Sequence, residues 1–381
     1  VRIVYLLAGL GFTGGSLVLY RFMDELVRRS FEVWAVLPGG CVRWQVGAWR
    51  GIIERAGLGT PWKKVAARAL RRMGSAGDFV RMLLGRMPDD SGRRFAWLTK
   101  ELVKRAPQAD VYVATYCATA PAAYLLADRA RGLYHVQHFE SVFFEDLVGR
   151  RLAEATYFLP LELIANSSWL AERLEKFAGR KPALLLPGID TDLFRPRDSV
   201  RRKFSGAGKV TVVSYYSANR FKAWPEAVEA MRRVYRALGS DRVRWRVFGG
   251  KPPQVPDVPV EFVGVVMGER LAQLYWDAHI VFMNSWCESF PLPPLEGMAC
   301  GAAVVTTRLG TEDYAVDGEN AVVVEPRRPE EVADAIVRLA VDREMAARLG
   351  EAGVETARKF DWRRAGDVLE AILVKRENPG A

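Results

Sequence analysis

Histidine and cysteine are scarce in this chain. Histidine occurs three times and cysteine four times, at Cys41, Cys117, Cys287 and Cys300, with no CxxC spacing among them. That leaves no zinc-binding pattern and fits a reduced, cytoplasmic setting. Long apolar runs are missing too. None reaches the roughly 20 residues needed to cross a bilayer. The first residues, VRIVYLLAGLG, carry one basic side chain and run straight into glycines. They read as a first strand rather than a secretion signal. Acidic residues are outnumbered, giving a net charge of +10. Such a surface attracts nucleic acid, anionic lipid or phosphorylated small molecules. No recognisable nucleic-acid motif supports the first of these, so no nucleic-acid partner is expected. Asparagine and glutamine are few beside arginine and proline, a composition that suits a thermophile.

What the chain does have is length and apolar content. With 381 residues, half of them hydrophobic, two domains with real cores are the default. RIVYLLA (2–8) is an uninterrupted apolar run of the kind buried on both faces of a parallel sheet. The loop GLGFTGGS (9–16), a helical pattern over 17–29 and the strand FEVWAVL (31–37) complete a βαβ opening. Gly9, Gly11 and Gly14 match the spacing of the dinucleotide fingerprint. That fingerprint also needs a carboxylate after the second strand, where this chain has Leu-Pro-Gly-Gly (37–40). The glycines are therefore expected to let the backbone approach a ligand.

The stretch 60–87 is the most basic. Thr60 and Pro61 can start a helix with Trp62, Val65 and Leu70 on one face and Lys63, Lys64, Arg68 and Arg71 on the other. Two readings stay open: a surface helix packed on its own domain, or a basic amphipathic helix lying on an anionic membrane. LYHVQHFES (133–141) ends a strand at His135 and His138, of which His138, nearer the loop, is the better functional candidate. LIANSSWLAERLEKF (163–177) predicts a strand and a helix capped by Ser167 or Ser168. The basic run 195–209 reads as an inter-domain linker, and VTVVSYY (210–216) restarts a sheet. Strands and helices then alternate to the end. Two doubly wound parallel domains facing each other are the predicted α/β architecture.

The stretch NSWCESFPLPPLEGMACG (284–301) comes after the apolar strand HIVFM (279–283). Pro291, Pro293 and Pro294 bar a continuous helix between Glu288 and Glu296. Glu288 is thus expected on a loop and Glu296 in the first turn of a short helix from about Pro294 to Cys300, with Gly301 just past its end. A helix start beyond the carboxyl end of a strand attracts anions, and two carboxylates there can hold hydroxyls. Phosphates and hydroxyls together describe a nucleotide sugar.

These residues resemble the retaining glycosyltransferases of family 4, which have the GT-B fold of two Rossmann-like domains facing across a cleft. ESFPLPPLE carries the E-x7-E motif. EGMACGAAVVTTRLGTEDYAVDGENAVVVEP, with Glu312, is similar to the stretch that this family carries after that motif. ANSSWLAERL and LLLPGIDTDLFRP resemble the family's inter-domain segments. The resemblance implies an acceptor-side domain over 1–190, a nucleotide-sugar domain over 191–362, and a C-terminal helix (about 363–381) packing back on the first. It implies transfer from a nucleotide-diphosphate sugar, UDP- or GDP-linked, to a hydroxyl of a glycan or lipid-linked acceptor. Glu288 would contact sugar hydroxyls and Glu296 the ribose, with Ser289 and the N–H groups near Phe290 and Leu292 assisting. Gly14 and Gly15 would approach the diphosphate, and His138 the reacting face of the sugar. Lys222 matches the family's lysine for the leaving diphosphate. The matching arginine position is Ser217, with Arg220 a nearby substitute, and Ala223 stands where the family has glycine. No metal or other cofactor is expected, and Asp190-Thr191-Asp192 reads as a turn and cap. A nucleotide-sugar-binding protein without transfer activity is the alternative. The expected location is cytoplasmic, and the membrane reading of 60–87 adds peripheral attachment to the inner face.

Overall fold

The computed structural model describes residues 1–9, 14–47, 90–206, 208–251, 253 and 255–374. Gly11 of the glycine loop, the basic stretch 60–87 and residues 375–381 lie outside the described residues. The chain forms two compact units, Val1–Pro187 with Trp362–Ala381, and Gly188–Asp361.

The first unit is built on β1 (Arg2–Leu6), α1 (Gly14–Arg28), β2 (Glu32–Leu37), β3 (Gly40–Arg43), α2 (Ser91–Arg105), β4 (Val111–Ala114), α3 (Ala120–Leu126), β5 (Arg131–Val136), α4 (Leu147–Ala155), β6 (Glu162–Ala165), α5 (Ser168–Ala178) and β7 (Ala183–Leu184). Its sheet runs β3-β2-β1-β4-β5-β6-β7. Ile3, Val4, Tyr5 and Leu6 of central β1 are fully buried, as the continuous apolar run requires when helices cover both faces. β3 is the exception to the parallel order. Val36 pairs with Cys41 and Leu37 with Gly40 in an antiparallel hairpin, so Leu-Pro-Gly-Gly is a turn back rather than a ribose-binding exit. Ser167 is the cap of α5, accepting the Leu170 N–H at 3.1 Å, and Gly179, at φ 67°, ends that helix in the left-handed conformation.

A last helix, Trp362–Val374, belongs to this unit. Arg29 holds it through the Asp367 carboxylate at 2.7 Å and the Arg363 carbonyl at 2.7 Å. The rings of Phe22 and Trp362 meet edge-on at 5.2 Å.

The second unit begins with α6 (Val200–Ser205), inside the stretch expected to be a linker. Val200 and Phe204, four residues apart, are buried in the unit's core. Arg201 faces outward to Glu344 and Glu351. Arg201 and Arg202 are thus the exposed side of a packed helix, Lys203 donates to the Cys300 carbonyl at 2.8 Å, and the division between units falls at 187/188.

There follow β8 (Val210–Tyr216), α7 (Trp224–Leu238), β9 (Val243–Gly249), β10 (Glu261–Gly264), α8 (Glu269–Asp277), β11 (Ile280–Met283), α9 (Leu292–Ala299), β12 (Ala303–Thr307), β13 (Val322–Val324), α10 (Pro329–Val341) and α11 (Arg343–Ala357); Trp362–Val374 is then α12. The sheet is parallel in the order β10-β9-β8-β11-β12-β13. From β8 the chain winds through β9 to β10 on one side. It then crosses to β11 and winds the other way. The reversal opens a crevice between the carboxyl ends of β8 and β11, where open α/β sheets place their ligands.

Among the described residues, no helix is long and apolar enough to cross a membrane.

Candidate functional site

The loops after β8 and β11 flank that crevice, and each carries a candidate residue. Lys222 closes a short 3-10 turn, Arg220–Lys222. Its Nζ lies 2.5 Å from the Glu288 Oε1. Glu288 is only 7% exposed. The two loops are also joined by their backbones, the Trp286 N–H donating to the Phe221 carbonyl at 2.8 Å. Asn284 Nδ2 donates to the Ala223 carbonyl at 2.9 Å.

Ala223 has φ 55° and ψ 46°, the left-handed conformation that an L side chain adopts at a cost. Ala223→Gly is therefore expected to stabilise the protein by about 0.5 kcal/mol, after the greater freedom of glycine in the unfolded chain is set against the relieved strain. Urea unfolding midpoints of the two proteins measure it. Ser217, at the position of the missing arginine, is a turn residue whose Oγ receives the Asn219 N–H at 3.4 Å.

Glu296 lies one turn deeper than expected. α9 starts at Leu292 with Pro291 as N-cap, which makes Glu296 its fifth residue. Proline is tolerated in the first turn because the N–H groups there lack a partner anyway. Pro293 and Pro294 thus mark the first turn rather than delay it. They also remove two of its donors, so Leu292 supplies the N–H that the start of α9 offers. The Tyr275 hydroxyl donates to Glu296 Oε2 at 3.0 Å. Burial, and the Glu296 carboxylate beside it, push the tyrosine well above its ordinary range, so it remains a donor. Gly301, at φ 74°, follows the helix as expected.

Phe290 points into the core against Tyr314 at 5.3 Å and Phe360 at 5.8 Å. What it offers a ligand is backbone. Ser289 is buried beside it.

Glu312 accepts the Gly310 N–H at 2.6 Å, and burial raises its carboxyl above the usual range. Gly310 itself has φ 89°, and a Cβ there would stand 2.4 Å from the Glu288 carbonyl oxygen. Sequence reasoning missed this role. The glycine was visible, but the contact that demands it spans 22 residues.

In the first unit, Gly14 and Gly15 open α1. A Cβ on Gly15 would meet Gln137 Oε1 at 3.2 Å, which brings the start of α1 against the turn that bears His138. That turn follows β5. His135 is within the strand and fully buried, whereas His138 lies beyond its end and is 6% exposed. The His138 ring sits 5.1 Å from Phe143 and 6.0 Å from Trp169.

Two residues on, Glu140 anchors the turn. It accepts hydrogen bonds from the Cys117 N–H and, at 2.9 Å, from the Tyr134 hydroxyl. Its own N–H donates to the Tyr157 hydroxyl at 2.7 Å. Burial pushes this carboxyl up from 4.5 to about 7, against the opposing pull of those hydrogen bonds. A carboxyl raised in the folded state binds a proton that the unfolded chain has already lost. The stability it contributes is complete below pH 4.5 and disappears as pH rises through about 7, a loss of roughly 3 kcal/mol. Glu140→Gln is expected to flatten this slope in urea unfolding between pH 5 and 8. An unchanged slope would assign the pH dependence to other groups.

Asp190, of the DxD triplet, accepts the Leu193 N–H at 3.2 Å, and Thr191 donates to Asp361 at 2.5 Å. Asp190 and Thr191 are thus engaged in the turn, and Asp192 is exposed.

The two wound units define the class: this is the GT-B fold. The chain superposes on the Anabaena HepE protein in complex with UDP-glucose with a TM-score of 0.70 at 17% identity, covering 98% of this chain and all of that one. With the sucrose-phosphate synthase of Thermosynechococcus elongatus the TM-score is 0.68 at 16% identity, over 98% of both chains. More particularly, residues 208–342 match the family model of group 1 glycosyl transferases. The D-inositol 3-phosphate glycosyltransferase of Mycobacteroides abscessus is 32% identical over 228 residues, 54% of this chain and 50% of that protein. The enzyme of the same name from Saccharomonospora viridis is 29% identical over 233 residues, 54% of each. The chain thus spans about half the length of these relatives.

Proposed function

We propose that the chain is a retaining, metal-independent hexosyltransferase that moves a sugar from a UDP- or GDP-linked donor to a hydroxyl of a glycan or lipid-linked acceptor. The observation that carries the reading is the 2.5 Å contact of Lys222 with Glu288 at the sheet's switch point. A cation and a carboxylate held together in a ligand crevice are poised to exchange each other for substrate. The donor diphosphate takes the lysine's charge, and the freed carboxylate accepts hydrogen bonds from sugar hydroxyls. Lys222 then stabilises the diphosphate as it leaves, the kind of electrostatic support that contributes most to such reactions.

The acceptor hydroxyl attacks from the face the diphosphate vacates, and a donor phosphate oxygen takes its proton. Glu288 positions the sugar and does not attack it. Glu296, oriented by Tyr275, holds the ribose. Ser289 and the N–H groups near Phe290 and Leu292 serve the sugar and diphosphate. The group 1 match over 208–342 and the UDP-glucose bound by the Anabaena protein support a nucleotide-sugar donor.

Ser217 in place of the arginine favours a second reading, donor binding without transfer. The test is a thermal-shift screen against UDP- and GDP-sugars, followed by NMR of the product. One donor at 100 times its Kd should stabilise the protein by about 2.7 kcal/mol, and the product should keep the donor's anomeric configuration. No stabilisation by any donor overturns the donor assignment, and an inverted product overturns retention. Turnover absent on all acceptors favours the second reading. Peripheral attachment through 60–87 is part of the proposal. Co-sedimentation with anionic vesicles should fall when Lys63, Lys64, Arg68 and Arg71 are changed to Glu.

A further inference from the structure

Beside the Lys222–Glu288 pair, two arginines converge on one indole. The Arg327 guanidinium stands 4.2 Å from the centre of the Trp286 ring, and that of Arg220 stands 5.6 Å away. They come from the loops after β13 and β8, and Trp286 from the loop after β11, so three strand ends of one sheet supply the cluster. The indole is held in place: its Nε1 donates to Glu226 at 2.8 Å and its backbone N–H to Phe221.

Among the described residues, neither guanidinium has a carboxylate within ion-pairing distance. The neighbouring arginines of the same region do, Arg308 with Glu325 and Arg328 with Glu330. A guanidinium held at an aromatic ring by cation–π attraction keeps N–H donors at its edge for a further partner. Those edges fit a tetrahedral oxyanion by paired, charge-assisted hydrogen bonds.

A second observation points the same way. Arg327 has φ 63°, a left-handed backbone that asparagine or glycine would adopt with less strain. Backbone strain of this kind collects at binding sites. Here it carries a guanidinium to the edge of the crevice.

We infer that Arg327 and Arg220, gathered at Trp286, form a phosphate-binding clamp. The phosphate belongs either to the donor diphosphate, where the clamp replaces the cation missing at Ser217, or to a phosphorylated acceptor. The inference deepens the transfer reading, but phosphate binding is measured without turnover, so its failure leaves that reading standing.

The experiment is calorimetric titration of the whole protein with inorganic phosphate, pyrophosphate, UDP and uridine at low salt. The variants are Arg327→Asn, which suits the left-handed backbone, and Arg220→Gln with Arg327→Asn together. The single change is expected to weaken phosphate binding by about tenfold and the double change by about a hundredfold, since a hydrogen-bonded charge contributes on that scale. Arg327→Asn should hold or raise Tm, which a merely structural arginine would not allow. Loss of UDP affinity with uridine binding intact assigns the clamp to the donor. Loss of phosphate affinity with UDP binding intact assigns it to the acceptor. Unchanged phosphate and pyrophosphate binding in the double variant, or none in the parent protein, overturns the inference.

Discussion

Replacing Glu288 with alanine is expected to lower the transfer rate by about 10³-fold, the scale on which a single group positioned for the transition state acts. The residue is nearly enclosed, its backbone N–H is bonded to the Leu309 carbonyl at 3.3 Å, and its carboxylate faces Lys222. Alanine removes both the proposed contact to the sugar and the counter-charge of the lysine. The side chains of Lys222 and Glu288 retain 16% and 10% exposure. Water can therefore reach the lysine left behind, and the stability loss should fall short of the about 3–5 kcal/mol of a fully buried pair. Rate and stability separate the two roles. A double-mutant cycle with Lys222→Met reads their coupling in urea unfolding, where contacting charges give about 0.5–3 kcal/mol. In the transfer assay, donor affinity should fall mainly with Lys222→Met and kcat with Glu288→Ala. Full activity in Glu288→Ala would remove this residue from the reaction.

How much of the molecule is legible in its sequence depends on distance along the chain. The strands RIVYL, VTVVSYY, IVFM and AVVTT are readable because parallel strands covered on both faces are continuous apolar runs. The Ser167 cap and the glycine end of α9 are local chemistry as well. β3 escapes notice because GCVR is short and has no alternation to mark it. α6 is hidden by its arginines and lysine, although Val200 and Phe204 stand at helical spacing. Glu296 reads a turn too early when the prolines are treated as barriers, whereas the first turn of a helix has no hydrogen bond for proline to break. The site shows the same division. Glu288 and Glu296 can be found from their spacing, but the pairing of Glu288 with Lys222, 66 residues away, depends on β8 and β11 being neighbours in the sheet. Glu140 stands beside the histidines in sequence without an evident role, since its partners Cys117, Tyr134 and Tyr157 come from separate turns and strands. Trp286 and Arg327 belong to no motif at all.

Gly310→Val is expected to destabilise the second unit by on the order of 3–5 kcal/mol and to abolish transfer, because two costs add at one position. The backbone at φ 89° is one that a β-branched side chain hardly adopts. The Cβ would also stand 2.4 Å from the Glu288 carbonyl oxygen and 3.0 Å from that of Ser289. Both neighbours are backbone atoms, so no side-chain rotation relieves the overlap, and the loop after β11 must move. That loop carries the carboxylate facing Lys222, while Glu312 fixes Gly310 from the other side through its N–H. Alanine separates the two effects. Gly310→Ala keeps the overlap in its smallest form, so it should lose kcat through displacement of Glu288 while retaining more stability than the valine variant. Restored activity on shortening Glu288 would not be expected, since the displaced part is the main chain. Near-normal kcat and Tm in Gly310→Ala would show that the loop yields freely, and the tight apposition of residues 288 and 310 would then have no part in holding the carboxylate.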